Sequence, residues 1–282
     1  MTGFIVVDKE QGASSAQEVN RIKRLLNIPC GHMGTLDPMA TGVLPVAVGN
    51  ASRLFDYFLD KRKTYIADFR FGVDSDTLDT TGEMRLNAGY VPVKQQIESV
   101  LNGFVGEINQ LPPRYSAKNI NGRRGYELAR AGVNFELQPK KVNIYSIELT
   151  EQADKDTFRF KIECGGGTYI RSIARDLGTR LNTCAVMSAL VRQKSGIFSL
   201  ENSVKTRSLT ADNIKNFIIP TENVLPYESI TPSGQEAKKL FNGLSVPCGK
   251  ADGIYKIFTC DGSFYGLAEV RQSVLKVGKK LC

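Results

Sequence analysis

Apolar and polar residues alternate along several short segments of the chain, and a period of two predicts β-strands with one buried face. The pattern is clearest over residues 64–71, where an aromatic residue or alanine occupies every second position. Residues 158–164 alternate in the same way, residues 142–149 are typical of another strand, and the apolar run at 3–8 predicts a short buried strand. Alternation of this clarity favours an antiparallel sheet with one face exposed to solvent.

Two segments have the spacing of apolar side chains that predicts an amphipathic helix. The first begins at a capping box, Ser15-Ala-Gln-Glu18, and must end before Pro29. The second follows three glycines, with Thr168 expected as its cap and an apolar stripe extending over residues 169–182. Arg171 flanks that stripe in the first helical turn, at the boundary between core and solvent.

The pattern breaks near residues 220–226, and a smaller set of elements follows. A second capping box, at residues 233–236, predicts a short helix. Asp261-Gly262 is typical of a hairpin turn. A helix followed by a β-meander indicates an appended module over residues 229–282. The strands of the meander are expected near residues 254–260, 264–270 and 274–281.

A stretch rich in glycine and proline, residues 31–45, has no clear period and is expected to be a long ordered loop. Ordered loops of this length in compact domains are usually functional. Within it Asp37 precedes Pro38, and proline restricts the preceding residue to extended backbone, so the carboxylate projects from a stiff support. Asp37 is therefore a candidate catalytic residue, and an Asx turn is the structural alternative.

The positive charge of the chain is unevenly distributed. There are 37 lysine and arginine residues against 29 aspartate and glutamate residues, which gives a net charge of +8. Residues 112–141 hold seven basic and two acidic residues, and residues 231–282 hold eight basic and four acidic residues. Two positive regions suit a polyanion such as a nucleic-acid backbone, although lysine-rich faces that meet only solvent give the same count.

Missing motifs disfavour several function classes. The sequence has neither a Walker loop nor a dinucleotide-binding glycine motif, and no apolar run is long enough to span a membrane. Its six cysteines form no C-x-x-C pair and it has one histidine, so no metal site is predicted. Asp74, Asp76 and Asp79 fail the spacing of a calcium loop and are expected to form a solvated turn. The first residues lack the features of a secretory signal, which predicts a cytoplasmic protein.

Ordered motifs along the chain carry a resemblance to a known family. Residues 31–45, Gly-His-Met-Gly-Thr-Leu-Asp-Pro-Met-Ala-Thr-Gly-Val-Leu-Pro, closely resemble the catalytic loop of the TruB family of tRNA pseudouridine synthases. The departures are local, such as Glu10 in place of the usual proline and Asn119 in place of a usual lysine. Five further segments are similar to family motifs: Asp8-Lys-Glu-Gln-Gly-Ala-Ser14, Lys63-Thr-Tyr65, Pro112-Pro-Arg-Tyr-Ser-Ala117, Gly122-Arg-Arg-Gly-Tyr-Glu-Leu-Ala-Arg130 and Gly167-Thr-Tyr-Ile-Arg171.

The resemblance implies an α+β fold with a mixed, mainly antiparallel sheet flanked by helices, the pseudouridine synthase fold. Residues 1–228 would form the catalytic domain, including a mobile RNA-binding thumb at 112–135, and residues 229–282 a short PUA-like RNA-binding β module. The implied activity is isomerisation of a uridine to pseudouridine in the T-loop of tRNA, at position 55, without cofactor or metal. The alternative is an RNA-binding or tRNA-folding protein whose catalysis is secondary or lost.

The same resemblance assigns roles in the reaction. Asp37 would be the catalytic carboxylate, acting by attack on C1′, by removal of a 2′ proton or by attack on C6 of the base. Arg171 would be its partner, and Tyr65 would stack on the flipped uracil. Tyr169 and Leu190 would line the substrate pocket.

Other residues are expected to contact RNA without taking part in the chemistry. His32, beside the catalytic loop, would remodel the RNA around the flipped base. The partner is then the T-arm stem-loop of tRNA, with no membrane and no obligate protein partner, and the protein is expected to be a monomer. The basic contacts would come from Lys118, Arg123, Arg124 and Arg130.

Overall fold

The computed structural model describes residues 1–57, 61–86, 89–120 and 122–281 of the chain. No helix within those ranges combines enough length with enough apolar character to cross a membrane. The α-helices are α1 Ser15–Leu26, α2 Lys94–Leu101, α3 Gly125–Arg130, α4 Ile170–Arg180, α5 Thr221–Val224 and α6 Gly234–Phe241. Segments of 3₁₀-helix lie at Gly49–Tyr57, Asn102–Phe104, Leu200–Asn202, Thr206–Ser208 and Ile214–Phe217.

The strands form a large sheet, a smaller C-terminal sheet and two short ribbons. One ribbon pairs Val73–Ser75 with Met84–Leu86, and the other pairs Asn119–Ile120 with Arg123–Arg124. In chain order the strands are β1 Gly3–Lys9, β2 Cys30–His32, β3 Thr41–Val48, β4 Lys63–Phe71, β5 Val73–Ser75, β6 Met84–Leu86, β7 Gly106–Gln110, β8 Asn119–Ile120, β9 Arg123–Arg124, β10 Lys140–Asp154, β11 Thr157–Cys164, β12 Ala185–Ser195, β13 Phe198–Ser199, β14 Ile219–Pro220, β15 Ser229–Ile230, β16 Val246–Pro247, β17 Gly253–Phe258, β18 Phe264–Arg271 and β19 Val274–Lys280.

The large sheet has the order β14-β1-β3-β12-β4-β11-β10-β7, with β2 also paired to β3 and β13 to β12. Its strand pairs are antiparallel except for β3 and β12, which run parallel with Thr41 opposite Val191 and Gly42 opposite Arg192. This confirms the expected α+β fold with a mixed, mainly antiparallel sheet. The parallel pair joins two antiparallel halves and brings the start of β3 against β12.

The alternating pattern at residues 64–71 is confirmed as β4, whose alternate side chains are buried while those between are partly exposed. The strands predicted at 3–8, 142–149 and 158–164 are also confirmed, as β1, β10 and β11. The periodicity succeeds here because the central strands bury one face against the core cluster, which fixes the phase of the alternation.

The first helix is capped one residue earlier than predicted. Ser14 is the cap of α1: its Oγ accepts from the Gln17 N–H, and Gln17 Oε1 accepts from the Ser14 N–H. Ser15, the predicted cap, is buried, and its Oγ bonds the backbone of Leu36 instead. Either of the two adjacent serines could cap the helix. The contact of Ser15 with Leu36, distant in sequence, leaves Ser14 as the cap.

The other two predicted caps also differ in detail. Tyr169 is the residue that precedes α4, and Thr168 donates its hydroxyl to the Gly165 carbonyl rather than capping the helix. Ser233 does precede α6, but its side chain makes no capping hydrogen bond. The sequence therefore predicted where both helices lie, but it did not predict the hydrogen bonds at their N-termini.

Residues 31–45 are only partly a loop, which corrects the expectation of one continuous loop. β2 ends at His32 and β3 begins at Thr41, which leaves residues 33–40 as the loop. The following apolar run forms a buried strand because it lies between β1 and β12. Pro45 is accommodated within it, and its carbonyl accepts from the Met33 N–H.

The C-terminal sheet has the order β15-β17-β18-β19-β16, and the predicted helix and meander are confirmed as α6 and β17 to β19. Leu267 and Leu281 of this region share one apolar cluster with Phe4 and Leu54. The Asn50 side-chain amide also donates to the Leu281 carbonyl at 3.0 Å. The C-terminal sheet therefore covers apolar surface of the preceding part of the chain. The domain boundary at residue 228 stays a prediction.

Candidate active site

Asp37 of the 33–40 loop and Arg171 of α4 form a two-point ion pair. Arg171 Nε lies 2.9 Å from Asp37 Oδ2, and Nη2 donates to Oδ1 at 3.1 Å. The Arg171 side chain is 6% exposed, whereas the Asp37 side chain is 34% exposed. The guanidinium is thus buried behind the carboxylate, and the carboxylate remains accessible to a ligand.

Buried side chains of β1 and α1 fix the loop around this carboxylate. Lys9 is fully buried, and its Nζ donates to the carbonyls of Pro38 and Ala40 at 3.1 and 2.6 Å. Burial lowers the pKa of Lys9 to about 8. Ser15 Oγ accepts from the Leu36 N–H and donates to the Leu36 carbonyl. Because these bonds hold the backbone on both sides of Asp37, its carboxylate has a rigid support.

A second carboxylate lies behind Arg171. Arg171 Nη1 is 3.5 Å from Asp79 Oδ2 and donates to the Thr77 carbonyl at 2.8 Å. Asp79 is 4% exposed, and its Oδ1 accepts from the Thr77 hydroxyl and from the N–H and hydroxyl of Thr81. The expectation of a solvated turn is therefore wrong for Asp79, since an arginine and two threonines take the place of water. It holds for Asp76, which is exposed, whereas Asp74 lies in a strand, Val73–Ser75, and pairs with Arg85.

Tyr65 of β4 and Leu190 of β12 lie on neighbouring strands of the large sheet. Both are buried, and both belong to the large core cluster. Burial raises the pKa of Tyr65; the guanidinium of Arg192 lowers it, and the charge of Asp37 raises it slightly further. Tyr65 is therefore a buried side chain of the sheet, directly opposite Arg192 in the pairing of β4 and β12.

Tyr169 is held at the start of α4 by Gln110, a residue that sequence reasoning did not single out. The Tyr169 N–H donates to Gln110 Oε1 at 2.8 Å, and Gln110 Nε2 donates back to the Tyr169 carbonyl at 3.1 Å. Gln110 is 1% exposed, at the end of β7. These two bonds anchor the first turn of α4, and with it Arg171, to the far edge of the large sheet.

Residues 23–170 match the TruB family pseudouridylate synthase N-terminal domain. Nearly the whole chain is similar to tRNA pseudouridine synthase B of Clostridium kluyveri, with 36% identity over 288 residues that cover 99% of each chain. The chain belongs to the TruB family. It is also 41% identical over 246 residues to tRNA pseudouridine synthase B of Borreliella afzelii, with 86% of each chain covered.

Among solved structures, a chain in the crystal structure of a Cbf5-Nop10-Gar1 complex is similar to this TruB-family chain over its length. The TM-score is 0.70 at 26% identity, with 99% of this chain and 85% of that chain covered. The resemblance inferred from the ordered motifs is therefore confirmed at the level of family and fold.

The residues predicted to contact RNA are concentrated in one segment of this TruB-family chain. Residues 112–135 begin beside the ion pair, where the Tyr115 carbonyl accepts from Arg171 Nη2 at 2.9 Å. The segment continues through β8, β9 and α3. Lys118 is partly buried, and its Nζ donates to the Gln138 carbonyl at 3.3 Å. Of the four basic residues predicted to contact RNA, Arg123, Arg124 and Arg130 have exposed side chains.

His32 does not belong to that segment. It is exposed at the end of β2, opposite Val46 of β3, directly before the 33–40 loop. The residues predicted to contact RNA therefore lie in two parts of the chain, residues 112–135 and the end of β2 before the 33–40 loop.

Proposed function

We propose that the protein isomerises a uridine to pseudouridine in the T-loop of tRNA, at position 55, with Asp37 as the catalytic carboxylate. The observation that carries the proposal is the accessible carboxylate of Asp37 held by two contacts to the buried guanidinium of Arg171. Membership of the TruB family supports the reaction, and the names of the bacterial relatives support tRNA as the substrate.

The reaction exchanges a carbon–nitrogen bond for a carbon–carbon bond within one nucleotide. The N1–C1′ bond breaks, the uracil turns, and its C5 bonds to C1′. C5 then loses its proton, the electron pair of that bond restores the double bond between C5 and C6, and N1 gains a proton. The atoms and electrons of substrate and product are the same, so the proposal includes no cofactor and no redox partner.

Asp37 would act on the ribose or the base as an ionised carboxylate. It can attack C1′, remove a 2′ proton or attack C6, and the described geometry serves each of these routes. In all of them Arg171 aims the carboxylate, because a planar guanidinium that contacts both oxygens fixes their plane. Lys9 would hold the supporting loop, which keeps the reacting atoms at one separation.

Tyr65, Leu190 and Tyr169 would form the pocket for the uracil. A uridine within a folded tRNA has to leave its base stack before Asp37 can reach it, and a flipped base is held between flat or apolar groups. Tyr65 supplies a flat face, Leu190 an apolar one, and both are fixed in the sheet. The Tyr65 hydroxyl would relay the C5 proton, accepting it on its oxygen while it releases its own proton to water.

The RNA would be gripped by residues 112–135, acting as a thumb, and by His32. We propose that Arg123, Arg124, Arg130 and Lys118 contact phosphates of the T-arm, and that the C-terminal module adds a second positive surface. The thumb would order on binding, since its root contacts Arg171 while its arginines face solvent. The proposal also takes the protein to act as a monomer in the cytoplasm, without an obligate protein partner.

The purified protein, incubated alone with an unmodified tRNA transcript, tests the proposal. Mass-spectrometric mapping should find pseudouridine at position 55 and at no other uridine, with and without a metal chelator. The matched control transcript carries cytidine at position 55 and should stay unmodified. Tight tRNA binding without any pseudouridine would contradict the proposal and favour the alternative of an RNA-binding or tRNA-folding protein.

A further inference from the structure

Arg192 of β12 is a fully buried cation that the proposed reaction does not yet use. Its guanidinium donates to three backbone carbonyls: Nε to Val43 at 2.7 Å, Nη2 to Gly34 at 3.0 Å and Nη1 to Thr35 at 3.4 Å. Burying a guanidinium is costly unless its donors are satisfied, and here three backbone carbonyls rather than a carboxylate satisfy them.

The three carbonyls lie on both sides of Asp37. Gly34 and Thr35 precede it, and Val43 follows it in β3, so one side chain ties the entry of the loop to its exit. The backbone of Arg192 takes part as well. Gly42 has φ +100°, and a Cβ at that position would lie 2.3 Å from the Arg192 carbonyl oxygen. Only glycine lets the loop return so closely over β12.

The same guanidinium also meets Tyr65. Arg192 and Tyr65 are direct partners in the antiparallel pairing of β12 and β4, so their side chains project from the same face of the sheet, and the positive charge of Arg192 acts to lower the pKa of Tyr65. Lys63, on the same face of β4, adds a second positive charge near Gly34. One buried side chain is thus hydrogen-bonded to the loop that carries Asp37 and lies beside Tyr65 in the sheet.

We propose that Arg192 is a positioning residue that fixes the distance between the Asp37 carboxylate and the Tyr65 hydroxyl across the bound uridine. The inference rests on the proposed function and extends it. Asp37 acts at C1′, on the 2′ proton or at C6, and Tyr65 acts at C5 of the turned base. The position of each group relative to the other therefore matters for the reaction. Arg192 touches neither substrate nor solvent and acts through these two residues.

Three variants test this inference: Arg192→Lys, Arg192→Met and, as the matched control, Arg159→Met. Arg159 lies on the partly exposed face of the sheet, paired with Asp68, away from Tyr65. The Arg192→Met protein should lose about 100-fold in kcat, as expected when reacting groups are misplaced by about 1 Å, with little change in tRNA affinity. Arg192→Lys should recover part of the loss, and Arg159→Met should match the wild type.

A deuterium at C5 of the uridines gives a readout that general destabilisation does not move. In Arg192→Met, removal of the C5 proton should become slower relative to the other steps, so the isotope effect on kcat should exceed that of the wild type. If Arg192→Met does not fold, the same comparison is made in Arg192→Lys, where Tyr65→Phe should also cost less than it does in the wild type.

The outcomes separate the two claims. A wild-type protein that makes no pseudouridine contradicts the proposed function itself. If the wild type is active and the Arg192 variants keep its kcat per folded molecule and its isotope effect, the positioning role of Arg192 is wrong while the proposed function stands.

Discussion

Arg171 and Asp37 are 134 positions apart in the chain, and the guanidinium of the first contacts both carboxylate oxygens of the second. The arginine is itself held on three further oxygens: the Asp79 carboxylate and the carbonyls of Thr77 and Tyr115. The direction of the Asp37 carboxylate is therefore set by contacts that extend from the 33–40 loop through α4 to the root of the 112–135 segment.

Replacing Arg171 with lysine should impair turnover far more than binding. An ammonium cannot contact both oxygens of Asp37 while also reaching Asp79, so the carboxylate loses its fixed plane. We expect kcat to fall by about 100-fold or more, with KM changed by much less. Steady-state kinetics on a T-arm stem-loop measure both constants. A loss confined to KM would instead make Arg171 a ligand of RNA phosphate.

Replacing Asp79 with asparagine tests the carboxylate behind Arg171. The amide keeps the shape but removes the buried negative charge, and it can accept fewer of the bonds from Thr77 and Thr81. The free energy of unfolding should fall by about 2 kcal/mol, the size of a buried hydrogen bond to a charged group. Turnover should fall as well, because Arg171 loses one of its anchors.

Urea unfolding and turnover measured at full folding separate these two effects of Asp79→Asn. The control is Asp154→Asn, since Asp154 is exposed at the end of β10. An Asp79→Asn protein as stable and as active as the Asp154→Asn protein would contradict the support role of Asp79.

Neutralising Arg123 and Arg124 should weaken tRNA binding and flatten its salt dependence. Each lost phosphate contact removes about one counterion from the slope of log K against log salt. Arg124→Ala should also loosen the segment itself, because Arg124 Nη1 donates to the Ala117 carbonyl. Arg123→Ala is therefore the better test of the loss of charge alone. Binding titrations at several salt concentrations give the slopes.

Hydrogen exchange tests whether residues 112–135 are mobile before tRNA binds. Amides of this segment should exchange faster than those of α4 in the free protein and become protected in the complex. Equal protection of the segment and α4 without tRNA would contradict the mobile thumb, and unchanged salt slopes in the double variant would contradict its role in binding.

Lys63 should make stability rise with pH in alkaline solution. Burial, with a smaller contribution from Arg192, lowers its pKa from 10.5 to about 8. Between these two values the unfolded chain binds more protons than the folded one, so the free energy of unfolding increases as pH rises. A Lys63→Met protein lacks this gain. The pKa of Lys9 is also lowered, but its contribution to the pH dependence is common to both proteins and cancels in the comparison.

Urea unfolding at pH 7 and pH 9.5 measures the effect of Lys63. Relative to Lys63→Met, the wild type should gain up to about 2 kcal/mol between the two pH values. Parallel pH dependences in the two proteins would show that the ammonium of Lys63 is not desolvated in the fold.

The strands and helices could be predicted from sequence where one face of an element is buried. The phase of β4 and the stripe of α4 are local patterns that the core enforces. Element ends were less predictable: Ser14 and Ser15 are equivalent locally, and only the contact of Ser15 with Leu36 selects the cap. The start of β3 within residues 31–45 was not predicted for the same reason, because its first residues pair with β12, which lies far along the chain.

The site was predictable only in part. Asp37, Tyr65 and Arg171 stand in motifs that a family resemblance reveals, and the structure brings Asp37 and Arg171 into contact. Asp79 and Arg192 carry no local signal, because a charged residue in a turn or a strand is usually exposed. Each also has a partner more than 90 positions away, Arg171 for Asp79 and the backbone of residues 34–43 for Arg192, which periodicity and spacing do not report.

Single-turnover formation of pseudouridine by wild-type and Asp37→Asn protein tests the central claim most directly. The amide keeps the shape of the side chain but loses the charge and nucleophilicity that every proposed route requires. At matched tRNA saturation, the variant should bind tRNA as the wild type does and form product at less than about one part in a thousand of its rate, while Asp212→Asn, an exposed control, should behave as the wild type. Pseudouridine formation by Asp37→Asn above that level would contradict the assignment of Asp37 as the catalytic carboxylate.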